Sequence, residues 1–100
     1  MFESIKKLFG NPAATSFKHT GEDTVIVDVR TPFEFRSGHI PGSRNIPLDR
    51  LPSKVEDLKK LSKPIITVCR SGARSSTAKS ILTAAGLDAY DGGSWTNFKS

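Results

Sequence analysis

Ile65-Ile66-Thr67-Val68-Cys69-Arg70-Ser71-Gly72-Ala73-Arg74-Ser75-Ser76 holds a strand, a loop and the start of a helix in twelve residues. Ile65–Val68 is an almost uninterrupted β-branched run, as expected of a strand covered on both faces. It leads into Cys69, the one cysteine of the chain. The segment from Cys69 to Arg74 then supplies two arginines and a glycine, and a helical pattern begins at about Ser75. Ala78, Ile81, Leu82 and Ala85 recur at i, i+3, i+4 and i+7, with Gly86 as the C-terminal stop. Strand, loop and helix in this order form the repeating unit of a parallel α/β sheet. Ligands of such sheets gather outside the carboxyl ends of the strands, which is where this loop falls.

The chemistry of the loop has two readings. A lone cysteine at a strand end is commonly a small buried hydrophobe. Here, however, the residues after it are small, polar or cationic. A thiol in that position meets free backbone N–H groups, the positive end of a helix dipole and two guanidinium groups, all of which favour thiolate over thiol. The same groups would hold a small anion against the sulfur. Cys69 is therefore the candidate nucleophile. Arg70, Ser71, Gly72, Ala73, Arg74 and Ser75 are the candidate anion-binding loop.

Outward from the loop the alternation continues. Thr24–Val29 is a second β-branched run, and it leads into Thr31-Pro32-Phe33-Glu34. Thr31 can cap a helix, Pro32 suits its first position, and Glu34 completes a capping box, so a short helix is expected to end near Gly38. Pro41-Gly42 predicts a type II turn, and Arg44–Leu48 a short strand or extended segment. Ser53 with Glu56 reads as a second capping box, opening a helix with Val55, Leu58 and Leu61 on one face. Pro64 ends it. Past the cysteine helix, Leu87–Tyr90 is expected as a last short strand, with Asp91-Gly92-Gly93-Ser94-Trp95 as a turn. Before the core, Thr15–His19 is a candidate edge strand. Phe2, Ile5, Leu8 and Phe9 have near-helical spacing, suited to a segment packed on the domain or lying on a membrane surface.

Composition bounds the possibilities. One hundred residues, 36% hydrophobic and 25% charged, make one small globular domain. The net charge of +5 makes the chain basic. Its cations are scattered without interleaved aromatics, so nucleic acid is not an expected partner. A single cysteine excludes an internal disulfide and suits a reducing compartment, so a cytoplasmic address is expected. No window approaches the length of a membrane span, and Met1–Gly10 has no uninterrupted apolar core of a secretory signal.

At this level of detail the residues resemble a known pattern. Asp28-Val29-Arg30-Thr31-Pro32-Phe33-Glu34-Phe35, then Gly38-His39-Ile40-Pro41-Gly42-Ser43-Arg44-Asn45-Ile46-Pro47, is similar to the signature of the rhodanese domain. So are Cys69-Arg70-Ser71-Gly72-Ala73-Arg74-Ser75 and Gly92-Gly93-Ser94-Trp95. The resemblance covers about Val25 to Phe98. It implies a three-layer α/β/α fold with a five-stranded parallel sheet. Residues 21–100 would form the rhodanese-like domain, and residues 1–20 an N-terminal helix or edge segment of the same domain. It also implies thiosulfate sulfurtransferase chemistry. Cys69 would take the outer sulfur of thiosulfate, become a persulfide, and pass the sulfur to cyanide, a thiol or a protein. No cofactor and no metal are implied.

Arg30 matches a position that faces the site in some members, although a structural bridge between Asp28 and Arg30 is an equal reading. Glu34 is expected as a helix cap or a partner for Arg30, His39 as structural, and Trp95 as core or a cover on the last turn. Two other functions remain open, a non-catalytic binding module and a phosphatase or arsenate reductase of the related fold. The phosphatase pattern is Cys-x5-Arg, whereas Arg74 here follows Cys69 after four intervening residues.

Overall fold

The structure is a computed structural model that describes residues 23–98. Among the described residues four strands, against the five expected, form one parallel sheet: β1 (Val25–Asp28), β2 (Arg44–Asn45), β3 (Ile65–Cys69) and β4 (Ala89–Ser94), in the order β2-β1-β3-β4. The expected parallel α/β architecture is present. The residues expected to add an edge strand, Thr15–His19, lie outside the described range, as does the amphipathic pattern of Met1–Gly10.

The two β-branched runs become the central strands because they are apolar on both faces. Val25, Val27, Ile65 and Cys69 pack with Leu51, Leu58, Ala78 and Leu82 on one side of the sheet. Ile26, Ile66 and Val68 pack with Ile40, Tyr90, Trp95 and Phe98 on the other. Among the described residues three α-helices connect the strands: α1 (Pro32–Ser37), α2 (Leu51–Lys59) and α3 (Ala73–Ala84). α2 and α3 cover the first face. On the second, the 3-10 turn Trp95–Phe98 lies over Ile66 and Val68.

Local signals set α1 as expected. The Thr31 side chain accepts from the Glu34 N–H at 3.2 Å, and the Glu34 carboxylate accepts from the Thr31 N–H at 3.0 Å. The Pro41-Gly42 turn is closed by Ser43 N–H on the Ile40 carbonyl at 2.9 Å, with Gly42 at φ +86°.

Arg44–Leu48 is a short strand with an extended continuation, as expected: Arg44–Asn45 pair with β1, and the Ile46 and Leu48 N–H groups donate to the Asp28 and Val29 carbonyls at 3.0 and 3.1 Å. Other element boundaries differ from the sequence expectation. The second capping box does not form. A 3-10 turn over Leu48–Arg50 runs directly into α2, which starts at Leu51, and Ser53 Oγ donates to the Arg50 carbonyl instead. Complete burial of Leu51 anchors that earlier start. α3 begins at Ala73, two residues before the expected Ser75, because Gly72 takes the left-handed region at φ +103° and turns the chain abruptly.

The last strand is also displaced. It runs through Asp91-Gly92-Gly93-Ser94, where a turn was expected, with a register shift against Thr67 and Val68. A Cβ on Gly92 would stand 2.8 Å from Ile66 Cγ2 and 3.0 Å from the Thr67 carbonyl oxygen. A glycine here lets the bulged strand press against β3, and the strand continues where local sequence reads as a turn.

Candidate active site

The carboxyl end of β3 delivers Cys69 into a tight loop, Arg70–Gly72, before α3 begins. Cys69 is 1% exposed. The left-handed Gly72 aims its own N–H at Sγ, 2.9 Å away, and the Ser75 N–H reaches the same sulfur at 3.3 Å. Burial pushes the Cys69 thiol up. The N–H groups of Ser75, Gly72 and Ser71 act against it, and the thiol lies below its ordinary value. The loop thus brings Cys69, Ser71, Gly72 and Ser75 together around one atom.

The three arginines take different roles. Arg30 is 4% exposed and forms a buried bridge to Asp28, with Nη2 at 2.7 Å from Oδ2 and Nε at 2.9 Å from Oδ1. Its Nη2 also donates to the Gly38 carbonyl at 2.7 Å, and its guanidinium lies 4.7 Å from the Trp95 ring centroid. These contacts tie β1, the end of α1 and the last turn together beside the site. Arg74 is half-buried on α3 and donates to both oxygens of Glu34 at 2.9 and 3.1 Å. Of the two readings expected for Glu34, the helix cap is present and the pairing with Arg30 is not; its ion-pair partner is Arg74. That pairing, followed by the Thr31 N–H, holds the Glu34 carboxyl at about 2, below the ordinary 4.5. Arg70 is exposed and makes no ion pair with any described residue. Ala73 is exposed and offers no polar side chain.

Arg30, Phe33, Arg70, Ser94, Trp95 and Thr96 are among the residues lining a cleft of about 390 Å³ beside the loop. Among the described residues, Arg70 is the cation of that cleft without an ion-pair partner. His39 stacks on Phe35 with ring centroids 3.7 Å apart and sets Nδ1 2.7 Å from the Phe35 carbonyl, a contact within the end of α1. Among the described residues no cluster of three or more His, Cys, Asp or Glu side chains could hold a metal ion, and no helix is long and apolar enough to cross a membrane.

One residue of the site was not anticipated. Asp91, expected in a turn, accepts from the Ser75 hydroxyl at 2.7 Å and from the Gly93 N–H at 2.9 Å. Its position directly before Gly92-Gly93 was the available signal, since the glycines are what carry β4 up to the loop.

Strand, cysteine loop and helix at the centre of a parallel sheet place the chain in the class of α/β proteins that carry a cysteine at a strand's carboxyl end. Within that class it belongs to the rhodanese family: the rhodanese-like domain matches residues 13–100. It is 37% identical to a sulfurtransferase of Allochromatium vinosum over 65% of this chain and 60% of that one. It is 40% identical to the thiosulfate sulfurtransferase GlpE of Pseudoalteromonas translucida over 72% of this chain and 70% of that one. A rhodanese-like domain protein from Staphylococcus aureus superposes with TM-score 0.72 at 30% identity, covering 84% of this chain and 82% of that one. The chain spans between 44% and 64% of the length of the first three curated relatives it matches.

Proposed function

We propose that the chain is a sulfurtransferase that takes sulfane sulfur from thiosulfate onto Cys69 and hands it to an external thiophile in the cytoplasm, either a small thiol or a protein thiol. The observation that carries this reading is the convergence of the Gly72 and Ser75 N–H groups on Cys69 Sγ at 2.9 and 3.3 Å. Such donors favour the thiolate, which is the attacking species in exchange at sulfur.

The thiolate attacks the outer sulfur of thiosulfate. The S–S bond of thiosulfate breaks, and sulfite leaves with the bonding pair. Arg70, free at the cleft, meets the anionic donor and the departing sulfite, while Arg74 adds positive potential from behind its bridge to Glu34. The anionic end of the new persulfide then lies in the loop, where a nest of N–H groups stabilises it. In the second half the acceptor attacks that outer sulfur, and Cys69 leaves as thiolate. With no second cysteine in the chain, the sulfur passes to an acceptor from outside.

Phosphoryl chemistry is less well supported. Its loop must frame an oxyanion above the sulfur, whereas these N–H groups close on the sulfur itself. Intact-protein mass tests the proposal. Thiosulfate should add one sulfur atom, cyanide should remove it, and Cys69→Ser should abolish both changes. A wild-type mass unaltered by thiosulfate would refute the reading.

A further inference from the structure

The Ser75 side chain is fully buried and has one proton to give. Three acceptors stand within its reach: the Asp91 carboxylate at 2.7 Å, the Gly72 carbonyl at 3.0 Å, and Cys69 Sγ. A charged oxygen at the shortest distance is the strongest of these acceptors. The rest of Ser75 is fixed independently. Its N–H points at Sγ, and its carbonyl accepts from Thr67 Oγ1 at 2.8 Å.

We propose that Asp91 is a positioning residue for sulfur transfer: it engages the single hydroxyl proton of Ser75 and so withholds that donor from the resting Cys69. The resting sulfur is then held by backbone N–H groups alone. A thiolate with fewer donors is more basic and attacks the donor sulfur better, but it leaves less readily when the acceptor arrives. Asp91 thereby sets the balance between the two half-reactions. This inference rests on the sulfur-transfer reading for its consequence, though not for its test.

The test uses the full chain and neutral iodoacetamide. Cys69 is the only thiol, so alkylation against pH reports it whether or not the protein transfers sulfur. The other charged groups around Cys69 are Arg74 paired with Glu34, Asp28 paired with Arg30, and Arg70, and all are left in place. Asp91→Ala frees the hydroxyl to turn to the sulfur, and the alkylation midpoint should fall by about one pH unit. Ser75→Ala alone should leave the midpoint nearly unchanged. In the Ser75→Ala background, Asp91→Ala should shift it by no more than about a third of a unit, the part due to the carboxylate charge.

Asp91→Asn keeps an acceptor for both the Ser75 hydroxyl and the Gly93 N–H, so it guards against a fold defect. Its midpoint should also move by only that smaller amount. Equal shifts from Asp91→Ala in the two backgrounds, or a rise of about one unit in Ser75→Ala alone, would overturn the proposal. Failure of thiosulfate to add sulfur, with the alkylation pattern intact, would instead overturn the function and leave this assignment standing.

Discussion

Arg70 and Arg74 are two cations at opposite ends of one loop, and their surroundings separate them. Charge-assisted hydrogen bonds carry more than neutral ones, but a cation already bridged to a carboxylate offers less to an incoming anion. Arg74 is bridged to Glu34 through both of its terminal nitrogens, while Arg70 is exposed at the cleft and pairs with no described carboxylate. The expected outcome is that Arg70→Ala lowers kcat/KM for thiosulfate about 10-fold with little change in stability. Arg74→Ala should lower it less and should cost up to about 1 kcal/mol of folding stability, as for a partly exposed ion pair. Steady-state kinetics and urea unfolding on both variants make the comparison. The assignment fails if Arg70→Ala matches wild type while Arg74→Ala loses turnover at undiminished stability. Sequence alone favours Arg74 for the anion, because Arg70 can point outward from the loop; the carboxylate that engages Arg74 lies 40 residues away and leaves no local signal.

At the scale of elements, what could be read in advance was what a few neighbouring residues determine. Thr31, Pro32 and Glu34 specify the start of α1 within four positions, and the capping box forms as expected. The central strands were legible because burial on both faces demands continuous apolar residues. The same carboxylate that caps α1 also braces α3, and its acid titration follows. Glu34 has a folded pKa of about 2 against an ordinary 4.5, so its contribution is complete above that ordinary value and is lost as pH falls through the folded one. With the pair partly exposed, Glu34→Gln should cost about 1 kcal/mol near neutral pH. The deficit should shrink below pH 4.5 and vanish near pH 2, as read from urea midpoints across that range. A deficit that does not vary with pH would assign the loss to packing.

β4 was misread for the converse reason. Gly92-Gly93 looks locally like a turn, and only the close approach of Ile66 and the Thr67 carbonyl makes it a strand. Gly92→Ala must displace those neighbours. It should destabilise the fold by about 1–3 kcal/mol, the usual range for overpacking. Chemical denaturation checks it, and a variant as stable as wild type would show that the sheet edge yields freely.

The whole molecule adds a field to the site. Its net charge is +5, and the strands' carboxyl ends present Arg70, which pairs with no carboxylate among the described residues. Arg30 and Arg74 are each matched by a carboxylate, so the long-range pull on a divalent anion comes from the molecular net charge and Arg70 together. Screening lengths fall from about 30 Å at 0.01 M salt to about 3 Å at 1 M, so an attraction exerted through solvent should disappear across that range, while contacts formed inside the loop persist. kcat/KM for thiosulfate should therefore fall about 3-fold or more between 0.01 and 0.5 M potassium chloride. Alkylation by neutral iodoacetamide, measured well above the Cys69 midpoint, should change little over the same range. Arg70→Ala should flatten the thiosulfate slope as well as lower its intercept. Equal salt dependence for the anionic and neutral reagents would show that salt acts on the loop itself. A slope that survives Arg70→Ala unchanged would place the steering elsewhere on the basic surface.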